Sequence, residues 1–445
     1  MLQVGFSRID VTPPFGNDVS GYFVRRIADG TLDPLYANTI AVTSGEDTVI
    51  LIATDYIGIR MSFADKIRKT IADRVGVPAD HVLVAALHQH TSPRLDGDNS
   101  SLTYLRDTAF IDVVIRKLAD SAQMAMDDRR DAVMSTALTE VSEPIAFVRR
   151  YFTDDGIVKS NPNTDKYNIV KRCAEADNSV RLVRFSREGA NDIALVNFST
   201  HPDVIGGTKW SADWPGFTRR FVEEDLDNVS CIFFTGTQGD SNHIDFFKPK
   251  SERKKGATGY DHSRYMGRTV ANAVIGVWDK TVPMTDENVF AEHTVVYNIT
   301  NTEGIEYYDD AVAYDKEYSE KATAGNWSSS LFPKHPYIQS IAHARRILSL
   351  RTAPIYLPVP LTVIGIGKVA LVGFGGEAFT SYSYLLKESA PDKFLLTAVC
   401  ANGYEGYFPT AEAFAQGGYE AISSLYTPEL EQQILNAAKN MLNKF

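Results

Sequence analysis

A mixed α/β fold that carries its site at strand ends is what the sequence predicts, and three observations support it. Residues 82–93 read Val-Leu-Val-Ala-Ala-Leu-His-Gln-His-Thr-Ser-Pro, an apolar run that forms a buried strand and delivers His88 and His90 at its C-terminal end. Residues 48–55 form a second apolar run, and an amphipathic segment separates the two, giving the strand, helix, strand crossover from which α/β folds are built. Residues 181–185 and 193–201 are apolar runs split by the polar stretch 186–191, which predicts a hairpin and hence strands of both senses.

Residues 1–60 read as strand, glycine-rich turn and strand, with Asp10-Val-Thr-Pro-Pro-Phe-Gly leading to Ser20-Gly-Tyr-Phe, an irregular polar segment of the sort that lines a site. Ser62 is placed to cap a helix with Phe63, Ile67, Ile71 and Val75 along one face, and Gly76 to end it. Residues 101–128 look helical, 133–150 look like strands running into Val148-Arg-Arg-Tyr, and 152–178 are polar loops. A helix over about 215–225 leads to the strand Cys231-Ile-Phe-Phe-Thr235, then to the loop Gly236-Thr-Gln-Gly-Asp-Ser-Asn-His243 and a helix over about 260–278.

After a strand near 294–297, a Tyr/Asp/Glu/Lys-rich segment has too little apolar content for a domain of its own. It reads as an exposed helical insertion or lid over about 300–350. Residues 361–374 form a hairpin turning at Gly367-Lys368 and ending in Gly375-Gly-Glu377. The buried strand 394–400 enters Asn402-Gly-Tyr-Glu-Gly-Tyr407, and Thr427-Pro428 caps a closing helix with Leu430, Ile434 and Met441 facing inward. With no internal repeat, linker or low-complexity tract, residues 1–445 are expected to form one unit. Its mixed β-sheets would pack as a sandwich with flanking helices.

Composition narrows the function. A net charge of −11 argues against nucleic acid or an anionic membrane as the main partner, and favours a small-molecule substrate. The one basic run, residues 248–255, contains Pro and Glu and reads as a solvated loop. The 3 cysteines, Cys173, Cys231 and Cys400, form no Cys-x-x-Cys motif; Cys231 and Cys400 lie in apolar runs as buried thiols, which fits a reducing, cytoplasmic compartment. No signal peptide and no transmembrane stretch are visible, and nothing in the sequence fixes whether the chain forms a homo-oligomer.

Polar clusters recur at one structural address, the ends of apolar strands: His88/His90, His201, Glu377 and Tyr404/Tyr407. Residues two apart on a strand share a side, so both imidazoles of the His-x-His can face one cavity. Two histidines and a carboxylate make a catalytic zinc set that leaves a position for water. Each member also has a plain reading: His201-Pro ends a strand, Glu377 caps a helix, and the tyrosines are packing aromatics.

The ordered motifs resemble the catalytic domain of the neutral/alkaline (non-lysosomal) ceramidase family. They are Asp10-Val-Thr-Pro-Pro with Ser20-Gly-Tyr, Leu87-His-Gln-His-Thr-Ser-Pro93, Val148-Arg-Arg, Ser199-Thr-His201, Ser211-Ala-Asp-Trp-Pro-Gly216, Gly239-Asp240, Gly376-Glu377 and Asn402-Gly-Tyr-Glu-Gly-Tyr407, followed by Gln416-Gly-Gly-Tyr419. The resemblance implies a zinc-dependent amide hydrolase whose metal ligands are His88, His201, Glu377 and Tyr407. It also implies that His90, Arg149 and Tyr419 contact the substrate amide, with Glu377 accepting a proton from the attacking water.

This chain departs from the family at Gly239-Asp-Ser-Asn-His243, where Asn242 takes the position of a serine credited with an essential role. Asp240, Asn242, His243 and Tyr404 are accordingly candidates for substrate binding. The family's C-terminal β-sandwich domain has no counterpart before Phe445, and the polar stretches near 94–99 and 335–337 imply a smaller or more polar substrate than ceramide. Two alternatives remain open. One is hydrolysis of a glycosidic or ester bond in a sugar-containing compound, served by Asp55, Asp213 and Asp240, though these read better as partners orienting the histidines. The other is a non-catalytic binding protein on the same scaffold.

Overall fold

Alternation along the strands decides the architecture. In Val82–Ala86 every residue is buried; Val82, Val84 and Ala86 enter one core, while Leu83 and Ala85 enter another. The neighbouring Asp47–Thr54 strand divides likewise, with Ile50 and Ile52 on the first side and Val49, Leu51 and Ala53 on the second. A sheet buried on both faces needs continuous apolar runs, which is why these segments show no polar alternation.

The computed structural model describes residues 2–96, 107–253, 257–323, 325–326 and 328–445. Its largest sheet has 9 strands, in the order Val229–Thr235, Asp192–Phe198, Ser179–Arg187, Arg130–Glu140, Leu2–Asp10, Tyr36–Ser44, Asp47–Thr54, Val82–Ala86, with Val282–Pro283 beside Arg130–Glu140. Asp192–Phe198 with Val229–Thr235, and Asp47–Thr54 with Val82–Ala86, are parallel; the other pairs are antiparallel. The predicted hairpin is present with Arg181 opposite Asn197. Helices Met61–Val75 and Thr108–Asp127 cover the first core, and Asp213–Asp225 and Tyr260–Val277 cover the second. A smaller mixed sheet runs Val289–Ile299, Tyr356–Ile366, Val369–Phe374, Phe394–Ala398. Its hairpin turns at Gly367, whose φ of +54° favours glycine and whose site has Asp286 O only 1.9 Å from where a Cβ would stand.

Several local expectations change. Met61–Val75 starts one residue before Ser62, and no side chain of its own N-cap, Arg60, caps it; Glu405, far along the chain, accepts from the Met61 N–H at 3.0 Å instead. Gly76 does end that helix, at φ +75°. The closing helix is Leu430–Leu442 with Glu429 at its N-cap, and the Thr427 hydroxyl bonds Asn298. The helix expected over 101–128 is Thr108–Asp127, capped by Asp107, and residues 101–106 lie outside the described residues. So do parts of two polar stretches singled out above, 97–99 and 254–255.

The expected insertion is helical, with Tyr308–Lys321 and Ile341–Ser349. It is less exposed than its polarity suggested, because Ala311, Tyr314, Tyr318, Ile338, Ile341, Ala344 and Ile347 build a third core with Val24. Tyrosine carries the apolar area there that aliphatic residues carry elsewhere.

The strand ends are bonded to one another. Ala86 N–H donates to Cys400 O at 3.1 Å, and Asn402 pairs with Val84 in both directions, so the 400–402 segment extends the large sheet beyond its Val82–Ala86 edge. The Thr235 hydroxyl, on the strand at the opposite end of the sheet order, donates to Leu87 O at 2.9 Å. Asn197 donates to both Phe234 O and Thr397 O at 2.8 Å. Residues 86–88, 198–201, 235–238 and 398–402 are therefore gathered at one place.

Asp55, at the end of its strand, is fully buried and accepts two bonds from Arg219, at 2.9 and 2.6 Å. Removing one partner strands the other charge in the interior, so Arg219→Ala is expected to lower unfolding free energy by about 3–5 kcal/mol in chemical denaturation. Loss below 1 kcal/mol would show that the pair does not organise this end of the sheet.

Candidate functional site

His88, two residues past the strand Val82–Ala86, takes a left-handed conformation, φ +75°, which costs a non-glycine residue of order 1–3 kcal/mol. The twist turns its ring inward: Nδ1 meets Ile57 O at 2.8 Å, leaving Nε2 on the far side. His201 leaves its own strand end with Nδ1 against Gln238 O at 3.0 Å and Ser241 O at 3.1 Å. Glu377 stands on the short strand Glu377–Ala378, paired in parallel with Tyr407–Phe408 so that Glu377 and Tyr407 are neighbours in register.

These groups meet. Glu377 Oε2 lies 3.3 Å from His88 Nε2 and 3.2 Å from His201 Nε2, and His90 Nε2 lies 3.4 Å from His88 Nε2. His88, His90 and His201 each offer a ring nitrogen within 4.8 Å of the others. All of these side chains are buried or nearly so. The Tyr404 hydroxyl donates to Glu377 Oε1 at 3.4 Å, and its ring packs 5.5 Å from that of His88.

Electrostatics follow from burial and proximity. Burial opposes charge on Glu377, but His88 and His201 outweigh it and hold the carboxyl well below its ordinary range. Burial likewise lowers His88, yet Glu377 and Cys400 together push it up. His90 is lowered by burial and by the other two imidazoles, and His201 by burial and Arg149 to about 4. Glu377 Oε2 and His201 Nε2 face each other outside hydrogen-bond geometry, and each is buried without a hydrogen-bond partner. Leaving such groups unmatched costs roughly 1–3 kcal/mol apiece. A cation among imidazole nitrogens and a carboxylate oxygen removes that cost, and this donor set suits zinc. The residues fit a metal.

A cavity of about 850 Å³ opens over them, with His88, His90, Glu377, Tyr404, Tyr407 and Tyr419 at its base. Its outer wall includes Tyr22 and Phe23 from the early glycine segment, and Asp315, Arg345 and Leu348 from the insertion. Ion pairs stud this wall: Arg60–Glu405 at 2.9 Å, Arg94–Asp96 at 2.8 Å and Arg345–Asp315 at 2.8 Å.

The other candidates divide. Tyr407 is beside the cluster, its hydroxyl accepting from Arg149 Nη2 at 3.1 Å, and burial and Glu377 push its pKa well up. Tyr419 packs 5.6 Å from Tyr407 and lines the cavity. Arg149 stands behind the tyrosines, donating to Glu420 at 2.7 Å and Gly239 O at 2.8 Å, so its contacts are to the frame. Asp240 accepts from the backbone N–H and hydroxyl of Thr380, both at 2.8 Å, while Asn242 bonds Asn161 at 2.6 Å. His243 faces a different, smaller cavity, with its ring 5.8 Å from that of His262.

Asp55, Asp213 and Asp240 do not serve as orienting partners of the histidines. Asp55 holds Gln89 at 3.0 Å, and Asp213 accepts from the Val204, Ile205 and Trp214 N–H groups and from Ser263. Sequence reasoning missed Asp203, 3.4 Å from His90 Nδ1, although its place two residues after His201 was a usable signal. It also missed Glu420 and Arg26, for which no pattern pointed inward.

No family profile matches the chain, and no curated protein sequence does. Among solved structures it is similar to neutral ceramidase from Pseudomonas aeruginosa, with a TM-score of 0.72 and 15% identity over 99% of this chain and 74% of that one. It is similar also to a ceramidase complexed with C2, with a TM-score of 0.71, 15% identity and the same coverage. At this identity the shared property is the fold.

Burial lowers His201, His293 and His343 to about 4 and His243 to about 3, against an ordinary 6.5. Over that range the unfolded chain binds more protons than the folded one, so stability is present above about pH 6.5 and is lost as pH falls toward 4. Urea midpoints of the metal-free protein should drop across that window, and His243→Gln should flatten the slope. A midpoint that holds steady from pH 6.5 to 4 would contradict these burials.

Proposed function

We propose that the chain is a metal-dependent hydrolase of an amide bond in an N-acyl compound, with zinc as the cation and one catalytic unit carrying the reaction. The observation that carries this reading is the meeting of His88, His201 and Glu377 donor atoms, two of them buried and unmatched, at the base of a cavity large enough for a small substrate. His88, His201 and Glu377 would hold the metal, with the Tyr407 hydroxyl adjacent. Bound there, zinc supplies Lewis-acid activation of water and of the scissile carbonyl near neutral pH.

The chain's own groups do the rest. Glu377, kept anionic by two imidazoles and held at Oε1 by Tyr404, is the carboxylate at the cavity base placed to accept a proton from the attacking water. Tyr419, raised by burial and so a neutral donor at pH 7, is placed to stabilise negative charge building on the amide oxygen. Arg149 fixes Tyr407 by donating to its hydroxyl, and the Arg149–Glu420 pair fixes the short helix Tyr419–Ser423. The wall mixes apolar residues such as Leu348, Leu357 and Leu425 with these ion pairs, and the ion pairs favour a short or polar substrate, since an alkyl chain laid against them gains little of the roughly 25 cal/mol per Å² of apolar burial and desolvates charges.

Metal analysis of the purified protein should find about one zinc per chain. His88→Ala and His201→Ala should lose metal and activity together, and Tyr419→Phe should keep the metal while kcat falls about 10²–10³-fold. Fluorogenic short-chain N-acyl amides should be cleaved at least about tenfold better in kcat/KM than N-palmitoyl analogues, and nitrophenyl glycosides not at all. A His88→Ala enzyme at wild-type rate, or a glycosidase profile, would end this reading.

A further inference from the structure

Two imidazoles of the cluster, those of His88 and His201, are held by their Nδ1. For His88 the acceptor is Ile57 O, and for His201 it is Gln238 O and Ser241 O. A carbonyl only accepts, so both rings carry their proton on Nδ1 when neutral and turn an Nε2 lone pair toward Glu377. His90 instead turns a buried Nδ1 toward a carboxylate outside hydrogen-bond geometry. Its Nε2 lies 3.4 Å from His88 Nε2, and its Nδ1 lies 3.4 Å from Asp203 Oδ1, an atom that already accepts from the Tyr22 hydroxyl at 2.6 Å. Oδ1 is therefore an acceptor, and the ring nitrogen facing it is best placed as a donor. With the proton on Nδ1, the His90 Nε2 lone pair points at that of His88, an arrangement favourable only around a cation.

The ring is also walled in. Gly21, at φ +111°, approaches so closely that a Cβ there would lie 2.7 Å from His90 Cγ. Tyr22 packs edge-on at 5.6 Å between ring centroids. The Arg26 guanidinium lies 4.0 Å from the centre of the Tyr22 ring and donates to His90 O at 2.7 Å and to Ser20 O, tying the early glycine segment to the His-x-His turn.

We propose that His90 is a ligand of the same cation as His88 and His201, and that Asp203, backed by Tyr22, is the residue that positions it. His90 then belongs to the metal, whereas the family resemblance assigned it to the substrate's carbonyl. Asp203 is a positioning residue: it acts through His90 Nδ1, fixing the tautomer and the ring angle as carboxylates do for metal-bound histidines. The proposal rests on the metal-dependent reading above and adds a ligand and its support to it.

The test measures metal binding by the full-length protein. Zinc affinity, by competition with a chelating indicator, should fall about 10–100-fold in Asp203→Asn, the usual cost of removing such a carboxylate. Gly21→Ala, which pushes the ring aside, should weaken zinc too. Asp203→Asn/His90→Ala should bind no more weakly than His90→Ala alone, because Asp203 acts only through that ring. Proton NMR of the cobalt(II)-substituted wild-type protein should show three exchangeable, paramagnetically shifted resonances, one for each Nδ1–H; this holds even if a variant fails to fold. Two such resonances, unchanged zinc affinity in folded Asp203→Asn, or additive losses in the double variant would each overturn the proposal while leaving the hydrolase reading intact. Wild-type protein that binds neither zinc nor cobalt(II) would instead remove the hydrolase reading itself.

Discussion

The whole site hangs on the backbone bonds that tie the end of one sheet to the end of the other, and Asn402 is their centre. Its side-chain oxygen accepts from Val84 N–H at 2.9 Å, its own N–H donates to Val84 O at 2.8 Å, and its amide reaches Val82 O and the Thr362 hydroxyl. It does so fully buried and at φ +54°. Val82–Ala86 would otherwise be a bare edge, a row of backbone groups that a folded protein cannot leave unpaired in its interior. Closing that edge with residues 400–402 brings Tyr404 and Tyr407, which follow in the chain, over the histidines that end the strand. The structural requirement to cover an edge and the chemical requirement to gather ligands are met by the same few bonds.

Around that junction lies a ring of buried charge whose role is placement. Glu420 accepts from Arg149 at 2.7 Å, Arg150 at 3.1 Å and the half-buried Ser160 at 2.5 Å, and the three charged groups are buried. Burying such a group costs several kcal/mol per ion, and apolar packing of equal volume commonly matches or exceeds what the pairing returns. What an apolar cluster cannot do is present a guanidinium edge to the Tyr407 hydroxyl from a fixed direction. The same logic applies at Asp55, which Arg219 grips with both nitrogens while Gln89, between the two histidines of His-x-His, hangs from its Oδ1.

The fold was legible where one physical signal dominated. Continuous apolar runs found the central strands, the 186–191 turn found the hairpin, and Gly76 and Gly367 found the ends of a helix and a strand. The caps were not legible, because the groups that satisfy the first N–H groups of Met61–Val75 include Glu405, which no local pattern can bring to residue 61. Nor was the burial of Tyr314 and Tyr318, since tyrosine in a charged segment reads as solvated until a partner such as Val24 is placed against it. For the site, the strand-end address of His88, His201 and Glu377 identified residues that do meet. Residue identity without coordinates placed Asp240, Asn242 and His243 among the substrate contacts, whereas Asp240 bonds Thr380, Asn242 bonds Asn161, and His243 lines a second cavity. Asp203 and Glu420 escaped because a carboxylate's purpose is set by what it faces.

The cavity has two origins in the chain, and they divide the work. Its base comes from strand ends locked by the edge closure: His88, Glu377 and Tyr407 sit where backbone bonds leave little freedom. Its outer wall comes partly from Asp315, Arg345 and Leu348, carried by helices whose own core is separate from the two that hold the sheets. A substitution in those helices reshapes the wall directly and reaches the cluster through Tyr22, which packs against their core and against His90. The side chains of the wall can therefore vary at the insertion while the strand ends that carry the donors stay in place. A fold held in common at 15% identity rests largely on backbone bonds, which many sequences can make, whereas the ion pairs of this wall are made by side chains, which each sequence chooses.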